Sequence, residues 1–118
     1  MMATMTLDLK KKRIRIHRET LKQMNSPQYV HLLVNPEDAL IALCVCHKED
    51  KDAIKVSSAG QRGEVYSKNL LNQILSLKGT LIEDHTYRLS GNLSQSGQIV
   101  FFHISDAMDL TDKGDFYD

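Results

Sequence analysis

The chain is expected to fold as a small α+β domain. Two strand-helix-hairpin units of the β-α-β-β-β type should form one mostly antiparallel sheet, with two helices on one face. Three observations predict this. Apolar residues alternate with polar ones at Ile14 and Ile16, at Val30, Leu32 and Val34, and at Ile41, Leu43 and Val45, which is the period of half-buried strands. Helical spacing replaces that alternation twice, at Leu21 and Met24 and over Leu70, Leu71, Ile74, Leu75 and Leu77. The order of elements in the first half is then repeated in the second.

Each element has its own signal. Residues 1–9 read as a flexible start. From Arg13 to Arg18, Ile14 and Ile16 alternate against Arg13, Arg15 and His17, which predicts a strand with one wet face. Arg18 to Asn25 reads as a short helix, stopped at Asn25-Ser26-Pro27 because proline cannot continue the hydrogen-bond ladder. Tyr29 to Val34 and Leu40 to His47 are strands about the turn Asn35-Pro36-Glu37-Asp38. Residues 48–52 form a charged loop, and Ala53 to Val56 a further short strand. Residues 57–63 have the composition of a connector. Glu64 to Tyr66 is a strand, Ser67 an N-cap, and Asn69 to Lys78 a helix closed by Gly79. Strands at Tyr87 to Gly91 and Gln98 to Ser105 flank the turn-rich residues 92–97. The expected single domain covers residues 10–105, in units 12–57 and 63–105, followed by an acidic tail over 106–118.

Within the repeat, Ile16 and Leu21 fall where Val65 and Leu70 fall. Leu32 corresponds to Leu89, and Ile41, Leu43 and Val45 to Val100, Phe102 and Ile104. The alternative is chance reuse of a common α+β unit. This order over residues 12–105 resembles the processivity-clamp fold of DNA replication, whose domains each contain two β-α-β-β-β units. It is also similar in outline to the TATA-binding-protein repeat. In the clamp family the paired helices line the DNA channel. The resemblance therefore implies that role for Arg18, Lys22 and Gln23 and for Lys68, Asn72, Gln73 and Ser76. Two departures stand against it: a clamp subunit has two or three such domains, and this chain is not net positive. The general likeness to short bacterial proteins implies no activity. The strand at Arg13 to Arg18 and its helix are also similar to swapped-hairpin transition-state regulators, but lack the proline that follows that strand.

Composition limits the function classes. The 118 residues carry 15 Lys and Arg against 15 Asp and Glu, which excludes a uniformly basic nucleic-acid binder and an acidic solvating protein. No apolar run approaches a membrane span or a signal peptide, so a cytoplasmic protein is expected. Cys44-Val45-Cys46-His47 has zinc-ligand chemistry, but on a strand His47 points away from both cysteines and no second cysteine pair exists. No metal or cofactor is expected, and the thiols read as reduced packing residues. The acids fall mostly in turns, and no Walker loop, dinucleotide fingerprint or H-E-x-x-H is present.

The one concentrated charge feature is Lys10-Lys11-Lys12-Arg13, extended by Arg15 and Arg18. Its structural reading is a solubilising arm or a protected sheet edge. Its functional reading is phosphate contact, by Lys11, Lys12, Arg13, Arg15 and Arg18, aided by Lys22 and Lys68. Arg13 and Arg15 should then form a stripe on one strand face. The tail acids Asp106, Asp109, Asp112, Asp115 and Asp118 supply the opposite sign. The expectation is a non-enzymatic binding module, nucleic-acid-associated or regulatory, with duplex DNA or another protein as partner. The alternative is a protein-interaction domain that oligomerises through sheet edges; a small enzyme comes third.

Overall fold

The computed structural model describes residues 2–59, 62–76, 81–82 and 84–111. Its first element corrects an expectation. The stretch read as a flexible start is a strand, β1 (Met2–Asp8), which pairs along its length with other strands. Ala3, Met5 and Leu7 are buried and alternate with Thr4, Thr6 and Asp8. The signal was a period of two at Ala3, Met5 and Leu7.

β2 (Arg13–Ile16) pairs antiparallel with β1, and α1 (Arg18–Gln23) follows it. The helix ends before the proline is reached. Asn25 and Ser26 take left-handed backbone angles (φ 65° and 49°), and the Ser26 N–H returns to the Leu21 carbonyl at 2.7 Å. Thr20 ties α1 to β1: its hydroxyl accepts from the Thr4 N–H at 2.8 Å and donates to the Thr4 carbonyl at 3.3 Å.

β3 (Tyr29–Asn35) and β4 (Leu40–Val45) form the expected hairpin. In its turn, the Asn35 side-chain oxygen accepts from the N–H groups of Glu37 and Asp38. β5 (Ile54–Lys55), β6 (Ser57–Ala59) and β7 (Arg62–Val65) follow. α2 (Lys68–Leu75) opens on Ser67, whose hydroxyl accepts from the Leu70 N–H at 3.2 Å. The expected end of this helix at Lys78 and its Gly79 cap lie outside the described residues. β8 (Thr86–Leu93) and β9 (Ile99–His103) complete the second half, and a short β10 (Met108–Asp109) pairs with β8. Of the expected acidic tail, residues 112–118 lie outside the described residues.

The described strands form one antiparallel sheet in the order β5-β3-β4-β9-β8-β1-β2-β7-β6, with β10 beside β8. Its two end strands are consecutive in the chain, separated only by Val56. The sheet therefore curls almost into a barrel and presents little free edge. Glycine is needed where the packing is tightest. A Cβ at Gly63 would lie 2.6 Å from Leu21 Cδ1 and 2.7 Å from Val56 Cγ1, at the seam between α1 and the bend of the end strands. A Cβ at Gly91 would meet the Phe101 carbonyl and the Phe102 ring. Inside lies one core, built from Met5, Leu7, Ile14, Ile16, Val30, Ile41, Leu43, Leu89, Val100 and Phe102. Met24 from the end of α1 and Leu70, Leu71 and Ile74 from α2 enter the same core. Among the described residues, no helix is long and apolar enough to cross a membrane.

Candidate nucleic-acid interface

The run of cations divides once the strands are paired. Lys10, Lys11 and Lys12 occupy the turn between β1 and β2 and are all exposed. The turn is shaped by its neighbours. Leu9 is buried and donates its N–H to the His85 carbonyl at 3.0 Å. Asp8 Oδ1 accepts the Lys11 N–H at 3.0 Å, and Lys12 takes φ 57°. Among the described residues, these three lysines enter no ion pair.

Arg13 and Arg15 do share a strand face, as expected, but they do not form an open stripe. Asp8 Oδ2 accepts from Arg13 Nε at 3.2 Å and from Arg15 Nη2 at 3.3 Å. Glu64, brought alongside by the Arg15-Glu64 register of β2 and β7, accepts from Arg13 Nη1 at 3.3 Å. Asp8, Arg15 and Glu64 are all buried. Burial of so many charges is tolerable only because each is paired and hydrogen-bonded. Neither acid was singled out in the sequence, because nothing in it places Glu64 beside Arg13. Tyr66, just beyond β7, donates its hydroxyl to Glu64, and that hydrogen bond pushes its phenol above the ordinary tyrosine value.

The other predicted residues lie elsewhere. β2 and β7 are antiparallel, so the lysine turn at the start of β2 lies beside the end of β7, from which α2 departs. The backbone of Lys68 is thus at the lysine end; its side chain lies outside the described residues. Arg18 and Lys22 sit on α1, beyond the opposite end of β2, and Lys22 faces Glu19 at 3.9 Å. The structure does not bring all seven residues into one patch.

Three further features bear on chemistry. Cys44 and Cys46 are free thiols, and burial holds both above the ordinary cysteine value. A groove of about 520 Å³ runs between α2 and β3, lined by His31, Leu33, Ile54, Ser67 and Gln73. Its candidate base and nucleophile are both engaged: His31 Nε2–H donates to the Lys51 carbonyl, and the Ser67 hydroxyl caps α2. On the outer face of β3, β4, β9, β8 and β1, the register aligns Leu33, Ala42, Phe101, Asn92 and Met2 in one row. Leu33, Phe101 and Met2 are exposed.

No family model, curated protein or solved structure matches this chain.

One pH response follows directly. His85 Nδ1 donates to Asp109 at 2.7 Å, and the Leu110 N–H bonds the Thr86 carbonyl, so β10 is held against β8. The Thr111 N–H, with help from His85, holds the Asp109 carboxyl below its ordinary value. A carboxyl lowered on folding contributes in full above the unfolded value and is lost as pH falls through the folded one. Amide-exchange protection of Leu110 should therefore fall on acidification below the usual aspartate range. It should fall before that of core amides such as Leu43.

Proposed function

We propose that the chain is a non-enzymatic binding module that contacts the phosphate backbone of nucleic acid through the β1–β2 turn. The observation that carries this is the separation of charges on adjacent residues. Asp8 and Glu64 are occupied by Arg13 and Arg15, so they do not neutralise Lys10, Lys11 and Lys12, which stand exposed on a turn fixed by Asp8. Three exposed lysines on one held turn suit phosphate, whose binding releases condensed counterions and is largely blind to sequence. Of the residues that the sequence suggests for phosphate contact, Lys11 and Lys12 are the direct contacts, joined by Lys10. Arg13 and Arg15 position the turn, and Lys68 follows nearby on the backbone. The test is a mobility shift of short duplex DNA at low salt. Binding by the wild-type protein, lost when Lys10, Lys11 and Lys12 are all changed to Gln, is the expected result. An unshifted duplex contradicts it.

The two-unit organisation belongs to the same proposal. Arg15 lies opposite Glu64, and Ala42 opposite Phe101. A twofold axis placed through both pairs would relate Ile16 to Val65, and Ile41 and Leu43 to Val100 and Phe102, but would relate Leu32 to Gly91 and not to Leu89. Further support comes from the strands beside them. β1 pairs with β2 and β8, as β5 and β6 between them pair with β3 and β7. On this reading β1 is the fourth strand of the second unit, supplied from the start of the chain. Both helices feeding one core supports their packing on one face, and the likeness to the clamp fold rests on this order of elements.

A second reading has its own observation. The row Leu33-Ala42-Phe101 is an apolar strip on the outer face, of the kind that marks protein contact. It replaces sheet edges as the surface for self-association. Light scattering should show an oligomer that dissociates on changing Leu33 and Phe101 to Ser; a wild-type monomer at high concentration opposes this reading.

A further inference from the structure

Tyr66 is not explained by phosphate contact. Tyr66 shares its face of the sheet with the buried Glu64 and Arg15, yet it is 55% exposed. It is not loose: its hydroxyl donates to Glu64 Oε1, which fixes the edge of the ring. The other Glu64 oxygen accepts from Arg13, Arg13 bonds Asp8, and Asp8 accepts the Lys11 N–H. A continuous chain of hydrogen bonds thus joins the exposed ring to the lysine turn. The register continues the same neighbourhood, because Ile14 is opposite Val65 and the next position sets Arg13 beside Tyr66. A held aromatic ring joined to a turn that presents three exposed lysines is the pairing that single strands need. Their bases expose π-faces that a duplex keeps stacked, and their phosphates flank each base.

We propose that Tyr66 and the Lys10–Lys12 turn form one site for single-stranded nucleic acid, with the ring stacking on a base and the lysines contacting the flanking phosphates. This rests on the phosphate-binding reading above and adds to it a preference for single strands over duplex. The interleaved aromatic comes from far along the sequence and so could not be seen in the basic run itself.

Fluorescence anisotropy tests it, with a labelled oligothymidylate of about ten nucleotides and an abasic oligomer of equal length as probes. The wild-type protein should bind the thymidine oligomer about tenfold more tightly than the abasic one. Tyr66→Ala should remove that difference and leave abasic binding unchanged, while Tyr66→Phe, which keeps the ring but loses the Glu64 hydrogen bond, should retain most of it. Circular dichroism of each variant checks the fold. If Tyr66→Ala binds thymidine as tightly as wild type, stacking is wrong and the lysine reading stands. If the wild-type protein binds neither oligomer at low salt, both fall.

Discussion

Changing Asp8 to Ala should destabilise the fold by about 3–5 kcal/mol. The Asp8 carboxylate is buried with 6% of its side chain exposed and accepts from Arg13, Arg15 and the Lys11 N–H. Its removal takes from Arg15, whose side chain is only 10% exposed, the counter-charge at Asp8 Oδ2. Against a total stability of about 5–15 kcal/mol, a loss of that size is visible in any urea or thermal unfolding curve. Asp8→Asn separates two effects, because an amide can still accept the Lys11 N–H but supplies no charge. It should lie between wild type and Asp8→Ala. A variant Asp8→Ala that unfolds with the wild-type midpoint would show that the cluster is held by something other than this carboxylate.

The second large effect is on binding. Changing Lys10, Lys11 and Lys12 together to Gln should lower nucleic-acid affinity at low salt by one to two orders of magnitude, with the unfolding midpoint nearly unmoved. The expectation follows from counterion release, in which each phosphate neutralised contributes to the salt dependence. Stability should hold because these side chains are exposed and enter no ion pair among the described residues. Asp8→Ala and the lysine change thus have opposite signatures: one strikes the fold, the other the surface it supports. Equilibrium unfolding and anisotropy on the same preparations check both.

Much of the fold was legible because hydrophobic alternation and helical spacing are local. Val30, Leu32, Ile41 and Leu43 face the core as their spacing requires, and Ser67 caps α2 with its own hydroxyl. β1 was missed although Ala3, Met5 and Leu7 alternate, because a methionine-rich start resembles a frayed one. The curl of the sheet was not legible, since it depends on β5 and β6 occupying opposite ends of one sheet. The charge cluster was half legible. A run of lysines and arginines shows concentration of charge but not which cations are neutralised. That is decided by register, which sets Glu64 against Arg15 and Asp8 against Arg13. Tyr66 was invisible as a partner of the lysines for the same reason.

The central claim, that the β1–β2 turn holds phosphate, is tested most directly by the salt dependence of affinity in wild type and in the Lys10, Lys11 and Lys12 to Gln variant. Three phosphate contacts predict a slope of log affinity against log salt of about −2 for single strands or about −3 for duplex. For duplex, that is a loss of about 40-fold between 50 and 200 mM salt. The variant should bind more weakly at low salt and show a slope near zero. Equal slopes in the two proteins, or a wild-type affinity that salt does not change, would contradict the assignment of this turn as the phosphate contact.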